Sequence, residues 1–239
     1  MPYYGRIFCH FCRLLGVLLV ACLGCSSRED PSPAIASEAP GGAGDHVPRR
    51  LELTFVGDVI FGRYRDPWFD PIDPEQRFDY LREVRPALRS DLLVINLETP
   101  VVESLPRRSP LPEADNRFGA SRAMVAAHLV PAGVAVASLA NNHFYDLREE
   151  GQRESPRILR ELGIAPVGAS QPTDAVRVET LERNGYRIGF VAFTTRRNVA
   201  LDDLILVPPF VAPEADCPEL LDRVAEATAD HDLVVVLAH

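Results

Sequence analysis

Four runs of β-forming residues in this chain stop at side chains that bind metals or anions. Leu53 to Val56 leads into Gly57-Asp58, Leu92 to Ile95 into Asn96-Leu97-Glu98, Val134 to Ala140 into Asn141-Asn142-His143, and Val234 to Ala238 into His239. Continuous apolar strands are buried on both faces, the pattern of parallel sheets in α/β proteins. Such sheets bind ligands at the carboxyl ends of their strands, so the endings gather Asp58, Asn96, Glu98, Asn141, Asn142, His143 and His239 toward one rim. Any single ending has a plain explanation: Asp after Gly caps a turn, Asn satisfies loop backbone, and a lone His is usually a hydrogen-bonded structural residue. The coincidence of four marks the rim as the functional face.

The intervening segments carry helical spacing. Phe78 to Leu88 places Phe78, Leu81, Val84, Arg85 and Leu88 near one face, and Ser121 is an N-cap for a helix over Ala123 to Leu129. Glu149 to Leu162 reads as a helix interrupted in its first turns by Pro156 and closed by Gly163; Pro218 to Thr228 is the last helix. Val176 to Leu181 and Arg187 to Phe193, joined by Asn184-Gly185, form a hairpin of type I′. The expected fold is α/β: a layered, mainly parallel sheet covered by helices on both faces, with the hairpin as its antiparallel pair. Glu103 to Arg117 and Pro208 to Pro213 lack apolar periodicity and read as surface loops.

With 239 residues and 46% hydrophobic content the chain builds one sizeable core. A formal charge of −9 excludes nucleic acid as a partner. An anionic polymer is repelled on average, so binding one requires a local Arg cluster or a bound cation. All 25 basic residues are Arg, read here as a coding bias.

The amino terminus stands apart from the fold. Arg6 and Arg13 precede the apolar stretch Leu14 to Ala21, which is too short to span a bilayer but suits the core of a secretory signal. Leu19-Val20-Ala21-Cys22 resembles a bacterial lipobox, with Cys25 as the second candidate for lipidation. The expected organisation is a signal peptide over 1–21, a Ser-, Pro-, Ala- and Gly-rich tether over 22–50, and a domain over 51–239 held in the cell envelope by a lipid. Cys9-x-x-Cys12 and Cys22-x-x-Cys25 imitate a zinc ribbon, but they flank the apolar signal core and are not read as ligands. No disulfide framework is indicated.

Asp58, Glu98, Asn142, His143 and His239 combine oxygen donors with imidazole, a set that suits Mn, Fe or Zn. Metals so placed lower the pKa of water and stabilise attacking and leaving oxygens, which is the chemistry of ester or amide hydrolysis.

At these residues the chain resembles the bacterial capsule synthesis protein CapA, or poly-γ-glutamate capsule, family. The resemblance lies in Phe55 to Arg63, Asp91 to Pro100, Ala137 to His143 and, more weakly, Ile188 to Thr194. It implies a fold similar to the calcineurin-like metallophosphoesterases, with Asp58, Glu98, Asn142 and His143 as ligands or substrate contacts and Asp58 and His143 as the catalytic pair. It further implies that Arg63 clamps a carboxylate or phosphate and that Asn96 and Asn141 contact substrate. Synthesis, export or anchoring of capsular polymer is the implied role, with an anionic extracellular polymer or its precursor, and the membrane through the lipid, as partners. Asp58-Val59-Ile60 lacks the Asp-x-His pair of the phosphoesterases, and Gly-Asp-x-x-Asp is missing from the second strand. The family continues His-Trp-Gly where this chain has His239 last, so the domain is expected to be incomplete at its C-terminus. Two functions are compatible with the sequence: a metal-dependent hydrolase or transferase acting on an amide or phosphoester, and a non-catalytic, lipid-anchored polymer-binding or scaffold protein.

Overall fold

The segment Leu92–Leu97 is buried at every position, so it needs apolar cover on both faces, and the fold supplies that cover from two different sources. The computed structural model describes residues 50–61, 81–105, 117–169, 176–198 and 217–239. In chain order the elements are β1 (Leu53–Val59), a 3-10 helix (Arg85–Leu88), β2 (Leu92–Leu97), β3 (Val101–Val102), β4 (Ala120–Ser121), α1 (Arg122–Ala132) and β5 (Val134–Ser138). They continue with α2 (Arg148–Glu161), β6 (Ala165–Val167), β7 (Glu179–Arg183), β8 (Tyr186–Phe193), α3 (Pro218–Asp230) and β9 (Leu233–Ala238).

One sheet is parallel, in the order β1-β2-β5-β6. A second has the order β7-β8-β9, antiparallel across the hairpin and parallel between β8 and β9. Leu93, Ile95 and Leu97 pack with Met124, Val125 and Leu129 of α1 and Ile158 and Leu159 of α2. From the other face Leu92 and Val94 meet Ile188, Phe190, Val235 and Leu237 of the second sheet. Val191, Phe193, Val234 and Val236 then receive Leu220, Val224 and Ala227 of α3. The layers are therefore helices, parallel sheet, mixed sheet, helix. This is the expected α/β architecture of a mainly parallel sheet flanked by helices, with the second sheet as one of the covers.

Local chemistry fixes the elements. Ser121 caps α1, its Oγ accepting from the Met124 amide at 3.3 Å, and Gly133 ends that helix at φ 81°. Asn184 and Gly185 both have positive φ, 51° and 76°, as a type I′ turn requires. Two expectations are corrected. α2 runs unbroken through Pro156. Proline removes one helical donor there, but the neighbouring Ser155 ties the helix down: its Oγ accepts from the Val101 amide at 2.7 Å and donates to the Gly151 carbonyl at 2.5 Å. The described part of the expected Phe78–Leu88 helix is a turn followed by the short 3-10 helix, in which Pro86 lacks the donor an α-helix would use. Residues 78–80, Pro208–Pro213, most of Glu103–Arg117 and residues 1–49, where the signal peptide and nearly all of the tether are expected, lie outside the described residues.

Candidate metal centre

The register of β1 against β2 shifts between Phe55 and Asp58, across Gly57. A bulge re-aims the side chains that follow it, and here Asp58 comes to pair with Asn96 at the carboxyl end of β2. Asn96 Nδ2 donates to Asp58 Oδ1 at 2.8 Å. Asn141, just past β5, donates from Nδ2 to Asn96 Oδ1 at 3.3 Å and to the Leu97 carbonyl at 2.9 Å, while its own Oδ1 accepts the His143 amide at 3.1 Å. Three strand ends of the parallel sheet are thus laced together by carboxamides. Asn96 and Asn141, expected to contact substrate, are both buried, and their amide groups make hydrogen bonds within the protein.

β9 supplies the last member from across the seam between the sheets. One ligand atom each of Asp58, Glu98 and His239 lies within 4.8 Å of the others. Glu98 is buried and His239 half-buried, and His239 Nε2 is in hydrogen-bond contact with Glu98 Oε1. His239 is itself held through its backbone: its amide donates to the Phe193 carbonyl at 3.1 Å, and its carbonyl accepts the Thr195 amide at 2.8 Å. The rim expected from one sheet is built from two.

Burial raises the pKa of Glu98, and the neighbouring Asp58 carboxylate raises it further; His143 opposes the shift and Asp146 adds to it. Burial lowers that of His239 against the pull of Asp58, and the charges of His143 and Arg196 push the same way as burial. Both shifts favour the neutral forms in the metal-free site. Two carboxylates and an imidazole converging in a partly buried site are a donor set that a divalent transition metal fits.

His143 lies outside the compact triad, though its charge bears on both Glu98 and His239. Its Nδ1 donates to Asp146 Oδ2 at 2.8 Å, and the same oxygen accepts the Phe118 amide at 2.6 Å. The Phe118 ring lies against the imidazole with centroids 4.2 Å apart. A carboxylate on Nδ1 fixes the tautomer and leaves the lone pair on Nε2. Asp146 was missed by the sequence reading; its signal is the His-x-x-Asp spacing in the turn after a strand end, which lets the two side chains meet. Asn142 is half-buried beside this network, and Arg63, Cys22 and Cys25 lie outside the described residues.

The model of the bacterial capsule synthesis protein family PGA_cap matches residues 52–239. The chain belongs to this family. Membership agrees with the α/β layers and supports a role in capsule synthesis for this PGA_cap domain. A search of curated proteins finds no match.

Proposed function

We propose that this PGA_cap domain is a divalent-metal hydrolase or transferase that acts on an amide or phosphoester of an anionic capsular polymer or its precursor. The observation that carries the reading is the convergence of Asp58, Glu98 and His239, drawn from strands of two sheets, within 4.8 Å. These three residues would hold the ion, with Asn142 and His143 beside them. A bound Mn, Fe or Zn would supply Lewis acidity toward a carbonyl or phosphoryl oxygen. The protein's own groups do the rest. Asn96 holds the Asp58 carboxylate in place. Asp146 holds His143 with Nε2 carrying no hydrogen bond among the described residues, so His143 is assigned as the group that takes a proton at Nε2 from the attacking nucleophile and then passes it to the leaving group. Arg63 is assigned to the substrate anion. The lipobox-like Cys22, or Cys25, would carry the lipid that holds the domain on the outer side of a membrane.

A second reading is favoured by the contact between His239 and Glu98, through which these groups satisfy one another without an ion. In that reading the rim binds polymer without chemistry. Elemental mass spectrometry of the full chain, purified without chelator, separates the two. One or two equivalents of Mn, Fe or Zn that disappear in an Asp58→Ala, His239→Ala double variant support the metal enzyme. A folded protein without metal that still binds polymer in chelator supports the scaffold.

A further inference from the structure

We propose that Arg196, in addition to Arg63, receives an anionic oxygen group of the substrate at this rim, an assignment that rests on the metal-centre reading. The segment after β8 is built to hold this arginine beside His239. The Thr194 hydroxyl accepts the Arg196 amide at 3.1 Å and donates to the Arg196 carbonyl at 3.0 Å, closing a tight turn on a fully buried side chain. Thr195 is strapped to the His239 carbonyl twice, from its amide at 2.8 Å and from its hydroxyl at 3.3 Å. The backbone just before the arginine is therefore fixed to a candidate ligand, while the arginine itself is exposed.

The other arginines beside described carboxylates look different. Arg157 is held by Glu103, Glu154 and Glu161, and Arg122 by Glu103 and Glu161, so their guanidinium groups are occupied in tying β3, α1 and α2 together. Among the described residues no carboxylate pairs with Arg196. It directly follows Thr195, whose amide and hydroxyl are both bonded to the His239 carbonyl, so it stands beside the triad. An always-charged fork on an anchored backbone, with no carboxylate partner among the described residues, at the edge of the candidate metal centre is the form of an anion clamp. The rim also needs one. Asp58, Glu98 and Asp146 make it acidic in a chain of net charge −9, and a carboxylate- or phosphate-bearing substrate approaches against that field.

The test uses the full chain, wild type and as Arg196→Ala and Arg196→Lys. Binding of an oligomer of γ-linked glutamate is measured by calorimetry at two salt concentrations, with and without chelator, and metal content is read on the same preparations. Loss of the metal-centre reading would show in the metal content and leave the arginine comparison intact. In Arg196→Ala the affinity is expected to fall about tenfold with a flatter salt dependence, and Arg196→Lys to recover only part of it, since an ammonium is a point charge and not a fork. Inorganic phosphate is the second probe. Competition by phosphate in wild type that is lost in Arg196→Ala assigns the clamp to a phosphoryl group; an effect confined to the glutamate oligomer assigns it to a carboxylate. Unchanged affinity in a folded Arg196→Ala protein, or an equal loss for an uncharged γ-linked isoglutamine oligomer, in which each α-carboxylate is an amide, overturns the proposal.

Discussion

Glu98→Gln should make the metal-free protein more stable and the metal-loaded protein less so. Glu98 is 7% exposed, with Asp58 inside the same 4.8 Å cluster. Two carboxylates about 5 Å apart repel by about 3 kcal/mol at an effective dielectric of about 20. Asp58 is exposed to solvent, and screening reduces this to about 1 kcal/mol. The amide is close to isosteric and keeps a hydrogen bond to His239, so relief of the repulsion is the main change. In a domain of this size about 1 kcal/mol corresponds to roughly 2–4 °C in Tm. The sign with pH follows from the raised pKa of Glu98. Its folded state binds a proton more tightly than the unfolded chain, so the wild type carries the whole penalty above the raised pKa and sheds it as pH falls toward the ordinary value. The advantage of Glu98→Gln is therefore largest at neutral pH and fades on acidification. Thermal unfolding with chelator and with excess Mn or Zn, at several pH values, reads all of this. With metal the order inverts, because a ligand that binds only the folded wild type raises its Tm. A chelated variant that melts below the wild type at neutral pH, or a variant that gains as much as the wild type from metal, would refute the reasoning.

Asp146→Ala removes one buried carboxylate that serves two donors, the His143 ring and the Phe118 amide. A loss of about 2–3 kcal/mol in urea unfolding is expected, and nitrogen NMR of His143 should show the Nδ1–H tautomer giving way to a mixture. Gly168→Ala should cost about 2–4 kcal/mol in the same assay. Gly168 has φ 84°, and an added Cβ would fall 2.6 Å from that of Ala140 and 2.9 Å from that of Ala192, wedging the two sheets apart. Ser155→Ala should cost about 1–2 kcal/mol, with hydrogen exchange rising at the Val101 amide that the hydroxyl now protects.

The elements that could be read in the sequence are those whose signal is local. The apolar runs of β2, β5 and β9 set their own burial, the Ser121 cap started α1, and Asn184-Gly185 fixed the hairpin turn. The short strands β3, β4 and β6 escaped because each is stabilised by a neighbour and not by its own pattern; Ala165–Val167 even contains a proline. Pro156 misled for the opposite reason, as packing and the Ser155 bonds outweigh a lost helical bond. For the site, strand endings named Asp58, Glu98 and His239, which the structure brings together, but could not separate them from the other endings. Which of them meet depends on how the second sheet lies on the first. The separation of roles among Asn96, Asn141 and His143 depends on hydrogen bonds that residue type alone leaves open.

Glu98 and His239 stand on opposite sides of the seam between the two sheets, with an apolar layer beneath them. An ion shared by these residues would act as a rivet through that layer, and the free energy of holding it would be inseparable from that of keeping the sheets docked. Metal affinity then serves as a strain gauge for the whole sandwich. Loosening the packing around Phe190, a residue that contributes no donor atom, would be felt at the rim as a weaker grip on the ion, so side chains deep in the core share in setting how the site is filled.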